Sequence, residues 1–261
     1  MGVSQHVASA CARTHNDLQI GLFAYVSLIR SIILSDKNVG MIVVEVLPIS
    51  MRILPLKRPD WKPQTFCDSL YDILRAHDID QFTLVGHSYG TFLSAHILRE
   101  PNLEPRVSSI VLIDPIPFLL FHPFLVSNVV YRVPGPCRAN EWMIWYFTSR
   151  DISAAVLLQR HFFWSSGVLW RDDNVFKNRR TLVLLAAQDQ LVSSPQVWKY
   201  LTGVPMSEYD SGDEEASREV IEWKDGNFKA VLNIKLDHAQ ILMHPSKYSA
   251  IIDHINHPSS P

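Results

Sequence analysis

The chain has little cysteine and little net charge, and each of these features excludes some classes of site or partner. Its 261 residues include only Cys11, Cys67 and Cys137, which are too few and too scattered to predict a disulfide framework or a zinc site. Sparse cysteine favours a reducing, cytoplasmic location. The formal net charge of −2 leaves no basic footprint for nucleic acid or an anionic membrane surface. Small or neutral partners are therefore expected.

The sequence also lacks a clear membrane span and a metal-binding motif. Its most apolar stretch, residues 18–34, contains Arg30, and a charge inside a membrane span is costly. The stretch is also shorter than the roughly 20 apolar residues that a span requires. We therefore expect a packed amphipathic helix there. No HExxH or comparable ligand spacing occurs, so neither a metal nor a cofactor is expected.

Apolar runs alternate with helical patterns over much of the chain. Strands are predicted at residues 41–46, 81–85, 107–113, 181–187 and 230–236, and a helix at residues 61–76. This alternation is typical of a mostly parallel sheet flanked by helices on both faces. The predicted fold class is therefore α/β.

The alternation stops at residues 116–177, where a mainly helical stretch is rich in aromatic residues. They include Trp142, Trp145, Tyr146, Phe147, Phe162, Phe163, Trp164 and Trp170. An insertion after a strand lies above the carboxyl ends of a parallel sheet, where open α/β folds bind ligands. We predict a core of residues 1–115 and 178–261 with a helical cap at 116–177. The alternative is an extra packing layer outside the substrate pocket.

A nucleophile elbow is the strongest motif in the sequence. Gly86-His87-Ser88-Tyr89-Gly90 follows an apolar strand and precedes a helical pattern. In this turn the central residue takes a strained positive φ, which projects its hydroxyl above the sheet edge. Small flanking residues let the strand and the helix approach closely. The motif predicts a serine nucleophile at Ser88.

Serine hydroxyls need a base to react, and that base needs an orienting acid. Asp189 follows the predicted strand 181–187, and His238 follows the strand 230–236. The order serine, acid, histidine is the one used by α/β-hydrolases. Both side chains should lie above the same sheet edge as Ser88. The predicted triad is therefore Ser88, Asp189 and His238.

Other titratable residues compete for these roles. Asp114 also ends a strand and is the alternative acid, although the following proline favours a turn-fixing role for it. Asp237 is expected to brace the loop that carries His238, and His87 to pack away from the nucleophile. Histidines in or beyond the terminal helix are predicted surface residues: His244, His254 and His257.

The oxyanion site is the least typical part of the sequence. One backbone N–H should come from Tyr89, the residue after the nucleophile, and a second from a loop that follows an earlier strand. Residues 14–21 occupy the position of that loop, and no buried strand is predicted before them. An incomplete oxyanion site would slow the reaction about 100 to 1000-fold.

With these motifs in place, the chain resembles the α/β-hydrolase superfamily, in particular a fungal-type branch with a serine nucleophile. The resemblance extends over residues 18–244 and includes Leu112-Ile113-Asp114-Pro115, Tyr131-Arg132-Val133-Pro134 and Asp237-His238-Ala239. It implies the α/β-hydrolase fold, with Ser88, Asp189 and His238 as the triad. Members of that branch usually carry an upstream His-Gly oxyanion loop, so we expect a chain that is shortened at its amino terminus.

Together these features predict a serine hydrolase of carboxylesterase or thioesterase type. It would cleave an ester, thioester or similar acyl bond through an acyl-enzyme and would need no cofactor. The aromatic cap favours a small hydrophobic substrate. Two alternatives stay open: an acyltransferase that uses the same triad, and a non-catalytic α/β-hydrolase-like binding protein with an incomplete oxyanion hole.

Overall fold

One sheet of seven strands organises the computed structural model, which describes residues 6–10, 21–50, 61–136, 139–209 and 219–257. The strands are β1 (His6–Ala10), β2 (Gly40–Val43), β3 (Phe82–His87), β4 (Val107–Ile113), β5 (Arg180–Ala186), β6 (Val220–Asp225) and β7 (Phe228–Asn233). Their order across the sheet is β2-β1-β3-β4-β5-β7-β6. β6 pairs antiparallel with β7, and the other neighbouring strands are parallel.

Helices connect these strands and cover both faces of the sheet. The α-helices are α1 (Val26–Ser35), α2 (Pro63–Ala76), α3 (Tyr89–Ile97), α4 (Phe124–Val126), α5 (Ala139–Ile144), α6 (Ile152–Arg160), α7 (Trp164–Gly167), α8 (Asn174–Lys177), α9 (Ser194–Thr202) and α10 (Ser249–Asn256). Two π-helical turns span Ser127–Tyr131 and Trp145–Ser149. Short 3₁₀ helices include Gly21–Tyr25, Glu104–Arg106 and Gln240–Met243.

The central strands are buried on both faces, which explains their nearly continuous apolar sequences. Leu84 on β3 packs in a cluster with residues of α2, α3 and α9. Its neighbour Val85 points to the opposite face, where it packs with residues of α1 and α10. Successive strand side chains alternate between faces, so both faces need apolar residues. The predicted α/β class with a mostly parallel sheet is confirmed.

β1 corrects one sequence-based expectation. No strand was predicted before residues 14–21, yet residues 6–10 pair with β2 on one side and with β3 on the other. The sequence of β1, His-Val-Ala-Ser-Ala, is short and only partly apolar. It therefore gives a weak strand signal, and the pairing with two neighbours determines its conformation.

Other strand boundaries differ from the predictions by a few residues. The predicted strand 41–46 is observed as Gly40–Val43, and 230–236 as Phe228–Asn233. β6 was not predicted, because Glu222 and Lys224 interrupt its apolar pattern at the exposed edge of the sheet.

The described part of the apolar stretch at residues 18–34 is helical and packs against the sheet, as expected. Residues 21–25 make a 3₁₀ turn, and α1 continues to Ser35 with Leu28 and Ile32 buried. Residues 18–20 lie outside the described part of the chain. None of the described helices is both long enough and apolar enough to cross a membrane.

Candidate active site

The turn between β3 and α3 holds Ser88 in a strained conformation. Ser88 has φ 50° and ψ −117°, outside the regions that ordinary residues favour. Its backbone N–H donates to the Ile113 carbonyl at 2.9 Å, and its own carbonyl accepts the Thr91 N–H at 2.8 Å. These bonds tie the turn to β4 and to the helix, so the surrounding structure enforces the strain.

Gly86 shows why this turn needs a residue without a side chain. A Cβ at this position would lie 2.4 Å from the Ser94 Oγ and 3.0 Å from the Gly90 carbonyl oxygen. Both atoms belong to α3, which passes directly over the end of β3. The glycine therefore permits the close contact that the sequence motif predicts at this position.

Three side chains from distant parts of the sequence form one hydrogen-bonded chain. Ser88 Oγ lies 2.8 Å from His238 Nε2, and His238 Nδ1 lies 2.7 Å from the Asp189 Oδ2. Asp189 follows β5 and His238 follows β7, so parallel strands deliver all three to the same sheet edge. The structure therefore brings together Ser88, Asp189 and His238.

The buried Asp189 carboxylate makes the His238 imidazole more basic. Burial lowers the pKa of His238, but the Asp189 carboxylate outweighs that effect and, with Asp114 and Asp237, raises the pKa to about 9. Burial also raises the pKa of the Asp189 carboxyl, and His238 opposes that shift. The backbone N–H groups of Leu191 and Val192 donate to Asp189 Oδ1 at 2.7 and 2.9 Å, which fixes the carboxylate opposite the ring.

Asp114, the alternative acid, lies close to Asp189 and His238, but it hydrogen-bonds to the backbone of Ala239 and not to the His238 ring. Its Oδ2 accepts the Ala239 N–H at 2.8 Å and lies 3.6 Å from His87 Nε2. The Tyr25 hydroxyl is 2.7 Å from His87 Nδ1. In a neutral His87 ring that carries its proton on Nε2, facing the Asp114 carboxylate, Nδ1 is an acceptor. The Tyr25 hydroxyl is then the donor to Nδ1. Asp114 therefore supports the turn after His238, while Asp189 contacts the ring.

His87 is buried in this second network, and its ring centroid lies 5.7 Å from that of His238. Burial lowers the pKa of His87, and the nearby Asp114 carboxylate opposes that shift only in part. A neutral imidazole therefore fills this position. The packing and hydrogen-bonding environment expected from the sequence is what surrounds His87.

Asp237 joins the loops that carry the acid and the histidine. Its Oδ1 accepts the backbone N–H of Gln190 at 3.1 Å and that of His238 at 2.7 Å. Its Oδ2 also accepts from the Gln190 side-chain amide. Because Gln190 follows Asp189 directly, these bonds fix the acid loop relative to the imidazole. This is the bracing expected from the sequence.

Two polar supports were not found by sequence reasoning. Thr91 Oγ1 donates to the Ser88 carbonyl and accepts the Ile116 N–H, which links the elbow to the segment after β4. From the π-helical turn, Asn128 Nδ2 donates to the Leu191 carbonyl at 3.1 Å. Thr91 is detectable as a hydroxyl one turn after the nucleophile, but no sequence signal pairs Asn128 with the acid loop.

One of the two backbone N–H groups expected at the oxyanion site belongs to a described residue. Tyr89 is the first residue of α3, so its N–H has no acceptor within the helix and carries the positive end of the helix dipole. The expected second donor falls in residues 14–21, of which 14–20 lie outside the described residues. That segment follows β1 in the sequence and precedes the 3₁₀ turn at Gly21–Tyr25.

An apolar cavity of about 460 Å³ adjoins Ser88 and Tyr89. Residues 116–177 contribute seven of its lining side chains: Ile116, Leu125, Val126, Val129, Val130, Leu158 and Phe162. Val126 is 46% exposed, so the cavity opens to solvent beside it, whereas Ser88 and His238 are fully buried. No charged side chain lines the cavity within the described part of the chain.

Most of the aromatic residues singled out in the insertion lie away from this cavity. Phe162 lines it and packs on Phe92, with ring centroids 4.4 Å apart. Trp142, Tyr146, Phe163, Trp164 and Trp170 are exposed. The lining is therefore mainly aliphatic, because residues spaced along α4, α6 and the first π-helical turn face inward while the large rings face outward.

One cluster of described residues has the composition of a metal site. Potential ligand atoms of Asp114, Asp189 and His238 lie within 4.8 Å of one another. Their hydrogen bonds already use this proximity, since Asp189 binds His238 and Asp114 accepts from Ala239. Hydrogen bonds therefore account for the proximity of these three side chains.

Comparison with known proteins agrees with the topology. A family model described as the α/β hydrolase fold matches residues 56–136, which include the elbow and Asp114. No curated protein sequence matches the chain significantly.

Several solved structures share the fold at low sequence identity. A hydrolase from Oleispira antarctica is 14% identical, with a TM-score of 0.58 over 98% of this chain and 92% of that one. The meta-cleavage product hydrolase of Pseudomonas fluorescens IP01 is 13% identical, with a TM-score of 0.57 and the same coverages of 98% and 92%.

A third similar structure is the 2-hydroxy-6-oxo-6-phenylhexa-2,4-dienoate hydrolase from Rhodococcus sp. strain RHA1. It is 12% identical, with a TM-score of 0.57 over 97% of this chain and 90% of that one. At such identities the likeness concerns the fold. The chain has the α/β-hydrolase fold, and the family model of that description matches residues 56–136 of it.

Proposed function

We propose that the chain is a serine hydrolase that cleaves an ester, thioester or similar acyl bond of a small hydrophobic molecule. The observation that carries this proposal is the continuous contact from Ser88 Oγ through His238 to Asp189, at 2.8 and 2.7 Å. Such an arrangement activates a hydroxyl that is otherwise a poor nucleophile. The strained elbow supports the same role for Ser88.

The reaction begins when Ser88 Oγ attacks the acyl carbon and His238 Nε2 takes its proton. Asp189 holds the imidazole through Nδ1 and stabilises the positive charge that forms. The Tyr89 N–H donates to the developing oxyanion at the start of α3. His238 then protonates the leaving group, and an acyl-enzyme results. A water molecule, deprotonated by His238, attacks this ester and releases the acid.

The cavity beside Ser88 supports a neutral, apolar acyl group as substrate. Its lining offers aliphatic contact and no charged partner among the described residues, and burying an unpaired charge is costly. The dienoate named for the Rhodococcus hydrolase carries a carboxylate, which fits this lining poorly. The insertion at 116–177 would then act as the cap that excludes water from the reaction.

Labelling with a fluorophosphonate probe tests the proposal directly. The wild-type protein should be labelled stoichiometrically at Ser88, and p-nitrophenyl butyrate should be hydrolysed. Ser88→Ala should abolish both, and His238→Ala should reduce both by at least about 1000-fold. Ser94→Ala, on the same helix, is the matched control and should keep the label.

Two other outcomes identify the alternatives. A folded wild-type protein that is neither labelled nor active would overturn the proposal in favour of a non-catalytic binding protein. Acyl transfer to an added alcohol that outpaces hydrolysis would identify an acyltransferase. The complete burial of Ser88 and His238 favours testing for transfer, because a site that excludes water slows hydrolysis of the acyl-enzyme.

A further inference from the structure

The cavity beside Ser88 ends at a wall with a second cavity behind it. Ile116, Leu125 and Leu191 line both cavities, and the second has a volume of about 300 Å³. Ser88 lines the first cavity and is absent from the lining of the second. The order from the nucleophile outward is therefore first cavity, three-residue wall, second cavity.

The two cavities differ in the chemistry of their linings. The first is lined by apolar side chains beside Ser88 and Tyr89, and the second also has the polar side chains of His122, Ser193 and Gln196. An apolar chain attached at Ser88 would gain favourable contact throughout the first cavity. A longer chain would meet the wall.

We propose that this wall, with Leu125 as its adjustable member, sets the longest acyl chain that the protein accepts. The inference rests on the proposed function of Ser88 and narrows its substrate class to esters of apolar acyl groups of limited length. The second cavity is space that wild-type substrates do not reach.

Leu125 is the member of the wall that can change without disturbing the reacting groups. Ile116 is tied to the elbow by its N–H bond to Thr91, and Leu191 donates its N–H to Asp189. Leu125 belongs to the short helix α4 of the insertion and is only partly buried. Shortening its side chain should join the two cavities and leave the triad in place.

The test compares kcat/KM for p-nitrophenyl acetate, butyrate, hexanoate, octanoate, decanoate and laurate. Wild-type activity should rise with chain length and then fall beyond a limit. Leu125→Ala should move that limit by two or more methylenes. Each newly buried methylene is worth about fourfold, so the ratio of the first excluded ester to butyrate should rise at least about fifteenfold.

Three further variants locate the effect at the wall. Leu158→Ala makes the same substitution in the first cavity alone and should change the ratio by less than about fourfold. Leu125→Val is a milder change that should shift the ratio in the same direction. In the Leu125→Ala background, Ser193→Phe fills the second cavity and should return the limit to that of the wild type.

Hydrolysis without a shift in Leu125→Ala or Leu125→Val would overturn the inference while leaving the proposed function intact. A shift that Ser193→Phe does not reverse would overturn it as well. If no ester is hydrolysed, the proposed function fails, and calorimetry of neutral fatty acid methyl esters of graded length binding to Ser88→Ala protein decides whether the wall limits chain length. A binding limit that moves with Leu125→Ala would support the wall, and an unchanged limit would refute it.

Discussion

The carboxylate of Asp114 accepts the backbone N–H of Ala239 at 2.8 Å, which joins the end of β4 to the residue after His238. Its negative charge also raises the pKa of His238. Asp114→Asn keeps an acceptor oxygen but removes the charge. We expect the acidic limb of the kcat/KM profile to move to lower pH, because the imidazole then loses its proton more readily.

Two comparisons separate this charge effect from a purely structural one. Asp114→Ala removes the acceptor as well and should lower the free energy of unfolding by about 1 to 3 kcal/mol, the penalty for an unpaired buried N–H. The other charged groups near the ring, Asp189 and Asp237, are unchanged in both variants. If Asp114→Asn lowers kcat/KM without changing the apparent pKa of the acidic limb, Asp114 acts only by positioning the loop.

Hydrolysis should depend on pH through His238. The base must be neutral to accept the Ser88 proton, and its pKa is raised to about 9. We therefore expect log kcat/KM to rise with pH through the neutral range and to level off near that value. Asp189→Asn should lower kcat about 10⁴-fold and move the limb to lower pH, since burial then dominates the pKa of the ring. A flat profile between neutral and alkaline pH would rule out His238 as the base.

Gly86→Ala should destabilise the protein. The new Cβ would lie 2.4 Å from the Ser94 Oγ, and overpacking of this kind costs about 1 to 3 kcal/mol. Urea unfolding measures the change. Ser94→Ala removes the clashing atom, so the double variant should recover part of the loss relative to the two single variants. Stability equal to that of the wild type in Gly86→Ala would show that α3 can move away from β3 at little cost.

His254 should make the fold sensitive to acid. It was expected at the surface, but it lies on α10 facing the sheet and is 6% exposed. Burial, together with the nearby Arg180 cation, lowers its pKa to about 4. In the unfolded chain His254 is protonated below about pH 6.5. In the folded chain it is protonated only below about pH 4. The free energy of unfolding is therefore unaffected by His254 above its pKa in the unfolded chain, and it decreases as the pH falls below that value.

The loss attributable to His254 is on the order of 3 kcal/mol once the pH is below the lowered pKa. His254→Leu should abolish it, and thermal unfolding between pH 7 and pH 4 compares the two proteins. His244→Leu replaces an exposed histidine of the same region and serves as control. Equal acid sensitivity in wild type and His254→Leu would contradict this account.

The sequence predicts the parts of the fold that depend on local pattern. Continuous apolar runs identify the strands that are buried on both faces, such as β4 and β5, and the elbow fixes the position of Ser88 at a sheet edge. The order of residues along the chain also identifies Asp189 and His238 as candidates for one site. The strands and the elbow are predicted from short segments, and the two candidates from their order along the chain.

Other features depend on contacts between distant segments. β1 has a weak pattern of its own and is a strand because β2 and β3 pair with it. The Asn128 contact with the acid loop, and the inward facing of aliphatic rather than aromatic side chains in the insertion, follow from how the helices pack. The burial of His254 likewise depends on where α10 meets the sheet, which its sequence does not specify.

The position of β1 within the sheet has a consequence for biosynthesis. This strand is synthesised before both of its partners, Gly40–Val43 and Phe82–His87. Until the second partner is complete, the central sheet cannot assemble, and nascent chains expose unpaired strand edges. Yield in a heterologous host should therefore respond to slower translation or added chaperone more than the stability of the finished protein would suggest.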